Sequence, residues 1–301
     1  MLFGESTDVA TAEQLLDTCL DAGVNFFDAA EMYPVPQRAE TCGRSEEVLG
    51  AWLARQRRDS IMVATKVAGP SGQMTWIRGG PASLDARNIS EALDGSLRRL
   101  RTDYIDLYQI HWPDRYVPMF GDVDYDRTCA YPSVPLEEQL EALGRAVAAG
   151  KVRHVGLSNE TPWGLMNLLC RTFDSGLAEV CHLEAVGLLA YSPLAMGLLT
   201  GKYTAPGGGP PEARLNKYGP RPNVLAAVDA YCAIAACHGM SPTELALRFV
   251  LGRPLVSSAV VGATSLQQLE ELLRAARAPP LAAEVLSEID GVHERLPNPT
   301  P

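Results

Sequence analysis

The sequence predicts an α/β protein derived from the (β/α)8, or TIM-barrel, plan, but incomplete, with about six recognisable parallel strands. Amphipathic helical segments alternate with short apolar runs, which is the rhythm of repeated βα units. The runs are almost continuously apolar, as expected of parallel strands that are covered on both faces. Polar residues lie instead at the ends of the runs, where a barrel places its active site.

The predicted elements follow one another in a regular order. The first helix has apolar residues at Leu15, Leu16 and Cys19, and Gly23 ends it. The second begins near Ser45, and two more cover 89–100 and 136–149. The predicted strands are Val24–Phe27, Ile61–Thr65, Tyr104–His111, Val152–Ser158, Leu188–Ser192 and Ser258–Val261. An open doubly wound sheet would gather polar residues at one switch point. Polar residues after five different strands favour the barrel.

The chain is predicted to form a single domain over residues 1–301. The segment from about residue 204 to 222 is rich in proline and glycine, with Pro206, Gly207–Gly209 and Pro210 in succession. Because the βα rhythm continues beyond this segment, we expect a flexible loop rather than a linker between domains.

Composition excludes several classes of function. The formal net charge is −10, and no basic cluster is dense enough to follow a phosphate backbone, so no nucleic-acid partner is expected. No apolar run reaches the roughly 18 residues of a membrane helix, and no secretory signal precedes the first helix. The seven cysteines form no C-x-x-C pair, which favours reduced thiols and a cytoplasmic location.

Four polar residues form the candidate catalytic group: Asp28, Tyr33, Lys66 and His111. Tyrosine is a poor proton donor at neutral pH unless its anion is stabilised, and a nearby lysine ammonium would do so. An aspartate would hold that lysine in place, and a histidine could orient a carbonyl oxygen. The chemistry indicated is protonation of an oxygen that gains charge during hydride attack, with the hydride supplied by a cofactor.

Each of these residues also has a purely structural interpretation. Asp28 could cap a strand end, Lys66 could be a solvated charge, Tyr33 could rest on the surface and His111 could be a hydrogen-bonded core histidine. A metal site on Asp28 and His111 is a further alternative. A cationic lysine between them would oppose a metal ion, so no metal is expected. The ordered occurrence of all four at the ends of three consecutive strands favours catalysis.

The motifs around these residues resemble the aldo-keto reductase family. They are Asp28-Ala-Ala-Glu-Met-Tyr33, Ala64-Thr-Lys66, Asp106-Leu-Tyr-Gln-Ile-His111-Trp112, Gly156-Leu-Ser-Asn159, Ala190-Tyr-Ser-Pro-Leu194 with Gly197, Gly201-Lys-Tyr203, Gly262-Ala-Thr264 and Gln268-Leu-Glu-Glu271. Each motif is weak alone, but together they run in family order over nearly the whole chain. The likeness is greatest to the subgroup that includes potassium-channel β subunits and Tas-like reductases.

The resemblance implies an NADPH-dependent oxidoreductase that carries out carbonyl reduction on a small-molecule aldehyde or ketone. Tyr33 would donate the proton, Lys66 and Asp28 would tune it, and His111 would orient the substrate. The implied NADP(H)-binding residues are Ser158, Asn159, Tyr191, Ser192, Pro193, Leu194, Gly197, Lys202, Arg214, Gly262, Thr264, Gln268 and Glu271. Arg214 would lie near the 2′-phosphate. Leu272 stands where the family usually has an asparagine.

The same resemblance implies that two barrel segments have no counterpart here. Met1-Leu-Phe-Gly4 resembles the segment just after the family's first strand, so that strand is expected to be missing. Residues 160–187 occupy the place of a helix, a strand and a second helix, so the sixth strand is expected to be missing too. These gaps leave open an alternative function: a non-catalytic NADP(H)-binding or regulatory protein-binding module, or a truncated inactive variant, of the same family. The sequence leaves the oligomeric state undetermined.

Overall fold

A computed structural model describes residues 1–80, 83–117, 125–159, 166–204 and 222–300. The chain divides into two compact units. Unit 1 comprises Met1–Glu160 and Ala263–Leu266, and unit 2 comprises Thr161–Gly262 and Gln267–Pro301.

Unit 1 contains a four-stranded parallel sheet in the order β1-β2-β3-β4. Its strands are β1 (Phe26–Asp28), β2 (Met62–Val67), β3 (Ile105–Ile110) and β4 (Val152–Leu157). The helices that alternate with them are α1 (Val9–Asp21), α2 (Arg44–Leu53), α3 (Ala86–Leu100) and α4 (Leu136–Ala148). Each βα unit therefore adds the next strand of the sheet, as the sequence predicts.

The ends and the buried face of α3 show how the sequence sets these helices. Asp85 is the N-cap, and its carboxylate accepts a hydrogen bond from the backbone N–H of Asn88. Arg101 ends the helix in the left-handed conformation, with φ at 54°. Ile89 and Leu93 lie on its buried side and belong to the same core as the fully buried Trp52 of α2.

Strand β4 differs from the prediction that the strands are covered on both faces. Only Val152 is buried in this strand, whereas Val155 is 44% and Leu157 is 51% exposed. Among the described residues β4 is the last strand of its sheet, and only β3 pairs with it. Its sequence, Val-Arg-His-Val-Gly-Leu, includes a charged residue and a histidine, and α4 is the described helix that contacts it.

Unit 2 contains a parallel pair of strands, β5 (Leu188–Tyr191) and β6 (Val256–Val260). Its helices are α5 (Leu177–Leu183), α6 (Pro222–Cys237), α7 (Pro242–Leu251), α8 (Leu266–Arg277) and α9 (Ala283–Arg295). A separate hydrophobic core fills this unit, with Val228 and Tyr231 of α6, Phe249 of α7 and Ile289 of α9. The Tyr231 hydroxyl donates a hydrogen bond of 3.0 Å to the Leu168 carbonyl, which ties α6 to the segment before β5.

Each of the six predicted runs contains or overlaps a strand, and all pairings between these six strands are parallel. The fold is therefore α/β with parallel strands and is consistent with the (β/α)8 barrel. Between β4 and β5 the described residues, 166–187, contain a short 3-10 turn and α5 but no strand. The loop predicted at 204–222 lies almost entirely outside the described residues, and the single-domain prediction stays a prediction.

Within the described ranges, no single helix is long and apolar enough to cross a membrane. Only α6 and α7 taken together reach that length and composition, and they meet at an angle of 94°.

Candidate active site

The four predicted catalytic residues come together in unit 1 at the carboxyl ends of β1, β2 and β3. Asp28 is the last residue of β1, Lys66 is near the end of β2, and His111 follows β3. Tyr33 lies in the loop after β1. Lys66, Tyr33 and His111 are each less than a tenth exposed. The structural interpretations as solvated lysine and surface tyrosine are therefore wrong.

An ion pair between Lys66 and Asp28 anchors the site. The Lys66 ammonium donates to Asp28 Oδ2 and, at 2.7 Å, to the carbonyl oxygen of Ala29. Burial lowers the pKa of Lys66, but the attraction of Asp28, and after it that of Tyr33, outweighs burial and raises the pKa above its ordinary value. Lys66 is therefore a buried, permanently charged group at neutral pH.

The Tyr33 side chain lies between this ammonium and the imidazole of His111. Its hydroxyl oxygen is 3.5 Å from His111 Nε2, and the two rings meet edge to face. The Lys66 Nζ lies 5.2 Å from the centroid of the Tyr33 ring. A phenol, an ammonium and an imidazole thus share one small, buried volume.

His111 is neutral in this environment. Burial, and then the positive charge of Lys66, hold the pKa of His111 well below its usual value. Its Nδ1 is buried and has no hydrogen-bond partner among the described residues. At neutral pH this ring can donate or accept one hydrogen bond through Nε2, but it is not an imidazolium acid.

Glu31, which is not among the predicted site residues, holds the loop that carries Tyr33. Glu31 is buried and ion-paired with Arg78, and its Oε1 accepts a hydrogen bond of 2.6 Å from the backbone N–H of Ala68. Burial raises the pKa of Glu31, against the opposing attraction of Arg78. The sequence does place Glu31 between Asp28 and Tyr33, outside any predicted helix, and that position could have indicated a role near the site.

The backbone of Tyr33 is fixed from the other side by the start of α2. Its carbonyl oxygen accepts hydrogen bonds from the backbone N–H groups of Gly43, at 3.0 Å, and Ser45, at 3.4 Å. Gly43 has φ at 83°, which allows the chain to turn into the helix there. The first turn of a helix has unpaired N–H groups, and here they position the loop that carries Tyr33.

Both oxygens of the Asp28 carboxylate accept a hydrogen bond. Lys66 occupies Oδ2, and the side-chain amide of Gln109 donates to Oδ1 at 2.9 Å. A carboxylate with both oxygens occupied by an ammonium and an amide is not arranged to bind a metal ion. Among the described residues no group of three or more His, Cys, Asp or Glu side chains could hold one. All seven cysteines are free.

Ser158 and Asn159, predicted to hold the nicotinamide carboxamide, follow β4 in unit 1. Ser158 continues the strand ladder through a 2.8 Å hydrogen bond from its N–H to the Ile110 carbonyl. The Asn159 side-chain amide donates to the His111 carbonyl at 2.6 Å and to the Ser158 hydroxyl at 3.2 Å. Asn159 has φ at 55°, and it ties the end of β4 to the residue that carries the imidazole.

The residues predicted to line the pyrophosphate lie in unit 2, in the turn after β5. Left-handed backbone conformations recur through this turn, with φ at 52° for Ser192, 47° for Ala195 and 92° for Gly197. Leu194, with φ at −96° and ψ at 12°, directly precedes one of them. Met196, with φ at 55°, lies between Ala195 and Gly197, so three consecutive residues are left-handed and only Leu194 and Ala195 form the right- and left-handed pair typical of anion-binding turns.

The absence of a side chain at Gly197 leaves room for the Lys202 ammonium close to this turn. A Cβ added at Gly197 would lie 3.0 Å from the Lys202 ammonium, and that space is vacant only because the residue is glycine. The Lys202 ammonium lies 5.2 Å from the centroid of the Tyr203 ring. The N–H groups of Ala195 and Gly197 already donate to the carbonyls of Ser192 and Leu194, so the lysine is the group of this turn whose charge suits an anionic ligand.

Asn167, which is also not among the predicted site residues, supports the turn after β5. Asn167 is almost fully buried, and its amide donates to the Ser192 carbonyl at 3.1 Å. Its Oδ1 accepts from the backbone N–H groups of Leu169 and Cys170. Asn167 and Cys170 also form an isolated bridge, so the chain folds back here in a hydrogen-bonded turn.

The predicted adenosine-binding residues lie on and before α8. Gly262, Thr264 and Gln268 are exposed, and Glu271 is half-buried. Glu271 Oε1 accepts a hydrogen bond of 2.9 Å from the hydroxyl of Ser241, which is also the N-cap of α7. Leu272, where the family usually has an asparagine, packs into the protein at 4% exposure. Arg214, predicted near the 2′-phosphate, lies outside the described residues.

Comparison with known proteins confirms the lineage that the motifs indicated. The model of the Aldo/keto reductase family matches residues 1–294. This chain belongs to the aldo/keto reductase family. Enzymes of this family act on small-molecule carbonyl compounds and generally use a nicotinamide cofactor.

Relatives within the family agree with the predicted subgroup. The chain is 41% identical to Protein tas of Escherichia coli (strain K12), over 100% of this chain and 94% of the relative. It is 34% identical to a probable voltage-gated potassium channel subunit beta of Oryza sativa subsp. japonica, over 99% of this chain and 92% of the relative. It is 29% identical to L-glyceraldehyde 3-phosphate reductase of Escherichia coli O157:H7, over 96% and 85%.

The alignment with Protein tas also bears on the internal gap. It extends over 329 residues, whereas this chain has 301, so the relative carries internal residues with no counterpart here. The described residues between β4 and β5 contain no strand, which agrees with the predicted loss of an internal segment. Before β1 the described residues contain only α1 and an isolated bridge between Phe3 and Thr7.

Proposed function

We propose that this aldo/keto reductase reduces aldehydes or ketones to alcohols with NADPH, and that Tyr33 donates the proton. The observation that carries the proposal is the buried contact of three groups: the Tyr33 hydroxyl 3.5 Å from His111 Nε2, and the Lys66 ammonium 5.2 Å from the Tyr33 ring. This is the set of groups that protonation of a developing alkoxide requires.

Tyr33 and His111 are both candidate proton donors, and their environments distinguish them. Burial and the charge of Lys66 hold the pKa of His111 well below its usual value, so the imidazole has no acidic proton to give at neutral pH. Lys66, whose pKa is raised, stays an ammonium and stabilises negative charge on the Tyr33 oxygen as the proton leaves. Tyr33 is therefore the donor, and neutral His111 orients the carbonyl oxygen through Nε2.

The residues present fit a dinucleotide in their chemistry. Ser158 and Asn159 would hold the carboxamide, and Tyr191 would stack on the nicotinamide ring. A reduced nicotinamide, when bound, supplies the hydride that no side chain can supply. The left-handed turn with Ser192, Pro193, Leu194 and Gly197, together with Lys202, would hold the diphosphate. The adenosine end would fall to Gly262, Thr264, Gln268 and Glu271, and the 2′-phosphate to Arg214.

A titration with NADPH followed by a carbonyl panel tests the proposal. We expect the cofactor fluorescence to change on binding, and NADPH to be oxidised by at least one of a broad set of aldehydes and ketones. Fluorescence that stays unchanged at high protein concentration would contradict the proposal.

Replacement of the proposed proton donor tests the mechanism separately. Tyr33→Phe should lower kcat by about a thousandfold or more while leaving the Kd for NADPH within about twofold, because the phenyl ring keeps its packing but has no proton to give. Tyr104→Phe is the matched control, since its partly buried hydroxyl donates only to the Arg58 carbonyl at 3.4 Å. Turnover retained by Tyr33→Phe would remove Tyr33 from its role.

A second function, cofactor binding without catalysis, is favoured by one observation. The described chain between β4 and β5 lacks a strand, and β4 presents exposed apolar residues. One relative is named a potassium channel subunit beta, a protein that assembles with others. Tight NADPH binding without oxidation by any carbonyl compound would support this second function.

A further inference from the structure

We propose that Gln109 is a positioning residue for the reduction, which fixes the Asp28 carboxylate so that it holds Lys66 beside Tyr33. This inference rests on the proposed function. The Gln109 side chain is 5% exposed, and its Nε2 donates to Asp28 Oδ1 at 2.9 Å. Lys66 takes the other oxygen, Oδ2, of the same carboxylate.

The register of the sheet places Gln109 for this contact. Lys66 on β2 and Gln109 on β3 are register partners in the parallel ladder, so their side chains emerge on the same face. His111 lies two residues after Gln109 and points to that face as well. Asp28, on β1, receives one donor from the adjacent strand β2 and one from β3, the strand beyond it.

The next strand makes room for the glutamine. Gln109 pairs in register with Gly156 of β4, and a Cβ added at Gly156 would lie 3.3 Å from Gln109 Cγ. That distance is tighter than an ordinary van der Waals contact. Gly156 therefore leaves the Gln109 side chain free to extend across Lys66 toward Asp28.

The chemistry explains why an amide suits this position. A buried carboxylate oxygen without a donor costs free energy, and the carboxylate could rotate to satisfy it. A second cation would satisfy Oδ1 but would compete with Lys66 for Asp28. A neutral N–H donor holds the orientation of the carboxylate and leaves its charge directed at Lys66.

Gln109→Leu, compared with Gln139→Leu, tests the role. Gln139 is an equally buried glutamine of the same unit, and its Nε2 also donates a single 2.9 Å hydrogen bond, to the Val134 carbonyl. We expect Gln109→Leu to lower kcat about tenfold or more and to displace the alkaline limb of the pH profile of kcat, with KM and the Kd for NADPH within about twofold. Gln139→Leu should leave the profile unchanged.

Gln109→Glu provides a variant of the same shape if the leucine variant does not fold. The introduced carboxyl group can donate to Asp28 only while it is protonated. We expect the ratio of the variant's kcat to that of the unaltered protein to be highest in acid and to fall as pH rises through the ionisation of the new group. A merely structural role would give a ratio independent of pH.

The outcomes separate the two proposals. If the unaltered chain reduces carbonyls and Gln109→Leu keeps its kcat and pH profile, the role of Gln109 is overturned and the proposed function stands. If the unaltered chain binds NADPH but reduces nothing, the proposed function and the role of Gln109 fall together.

Discussion

Strands β3 and β4 are neighbours of the same length in one parallel sheet, yet they have opposite environments. In β3 five of six residues are buried, and in β4 only Val152 is. Both strands mix apolar residues with two polar ones, Asp106 and Gln109 in β3 and Arg153 and His154 in β4. The difference teaches that an apolar pattern shows what a strand is able to bury, whereas burial itself depends on the elements that cover it.

The difference extends to the chemistry. The face of β3 that carries Gln109 leads to His111 in the buried catalytic group, whereas His154 and Val155 of β4 are exposed to solvent. The desolvation that holds the pKa of His111 low acts only where water is excluded. The candidate catalytic residues therefore lie on the buried strands of this sheet, and β4 contributes mostly exposed side chains.

The largest difference in the effect of a substitution on stability is expected between Ile110 and Leu157, which are register partners on β3 and β4. Ile110 is 1% exposed and Leu157 is 51% exposed. Ile110→Ala should lower the free energy of unfolding by about 2–5 kcal/mol, because it leaves a cavity in the core. Leu157→Ala should change it by less than about 0.5 kcal/mol. Urea unfolding measures both, and equal losses would mean that β4 is covered in solution.

The second contrast concerns acid sensitivity. Burial, and then Lys66, hold the pKa of His111 well below its usual 6.5. As pH falls below about 6.5 the unfolded chain takes up a proton at this residue and the folded chain does not. The free energy of unfolding therefore decreases as the pH is lowered through this window, by up to about 1.4 kcal/mol per pH unit.

Unfolding measured between about pH 6.5 and pH 5 checks this sign. His111→Gln should lose less stability than the unaltered protein over that range, because the group that favours the unfolded state in acid is gone. His154→Gln, which alters an exposed side chain on β4, is the control and should follow the unaltered protein. Identical slopes for all three proteins would show that His111 is not buried as described.

The smallest effect is expected from a charge on β4. Val155→Lys should change the free energy of unfolding by less than about 0.5 kcal/mol, since the side chain at this position already contacts water. Val63→Lys on β2, where the valine is fully buried, should cost several kcal/mol. Thermal unfolding of the two variants provides the comparison. A loss above about 1 kcal/mol for Val155→Lys would show that another segment packs on this strand.

The sequence could predict the catalytic group because its residues end consecutive strands. Asp28, Lys66 and His111 each terminate or follow an apolar run, and parallel strands bring such ends to one edge. Gln109, Glu31 and Asn167 could not be found in this way. Their roles depend on which side chain faces which across the ladder or the loop, and a register is not visible in a single sequence.

The sequence by itself determined the lineage, the parallel α/β plan, the positions of six strands and the members of the candidate catalytic group, because motifs, periodicity and strand ends are local properties of the chain. The tertiary structure alone decided that Lys66 is buried and charged, that His111 is neutral, that Gln109 holds Asp28 and that β4 is exposed. Those properties depend on the exclusion of water and on the distances between groups from separate strands, which only the folded chain sets.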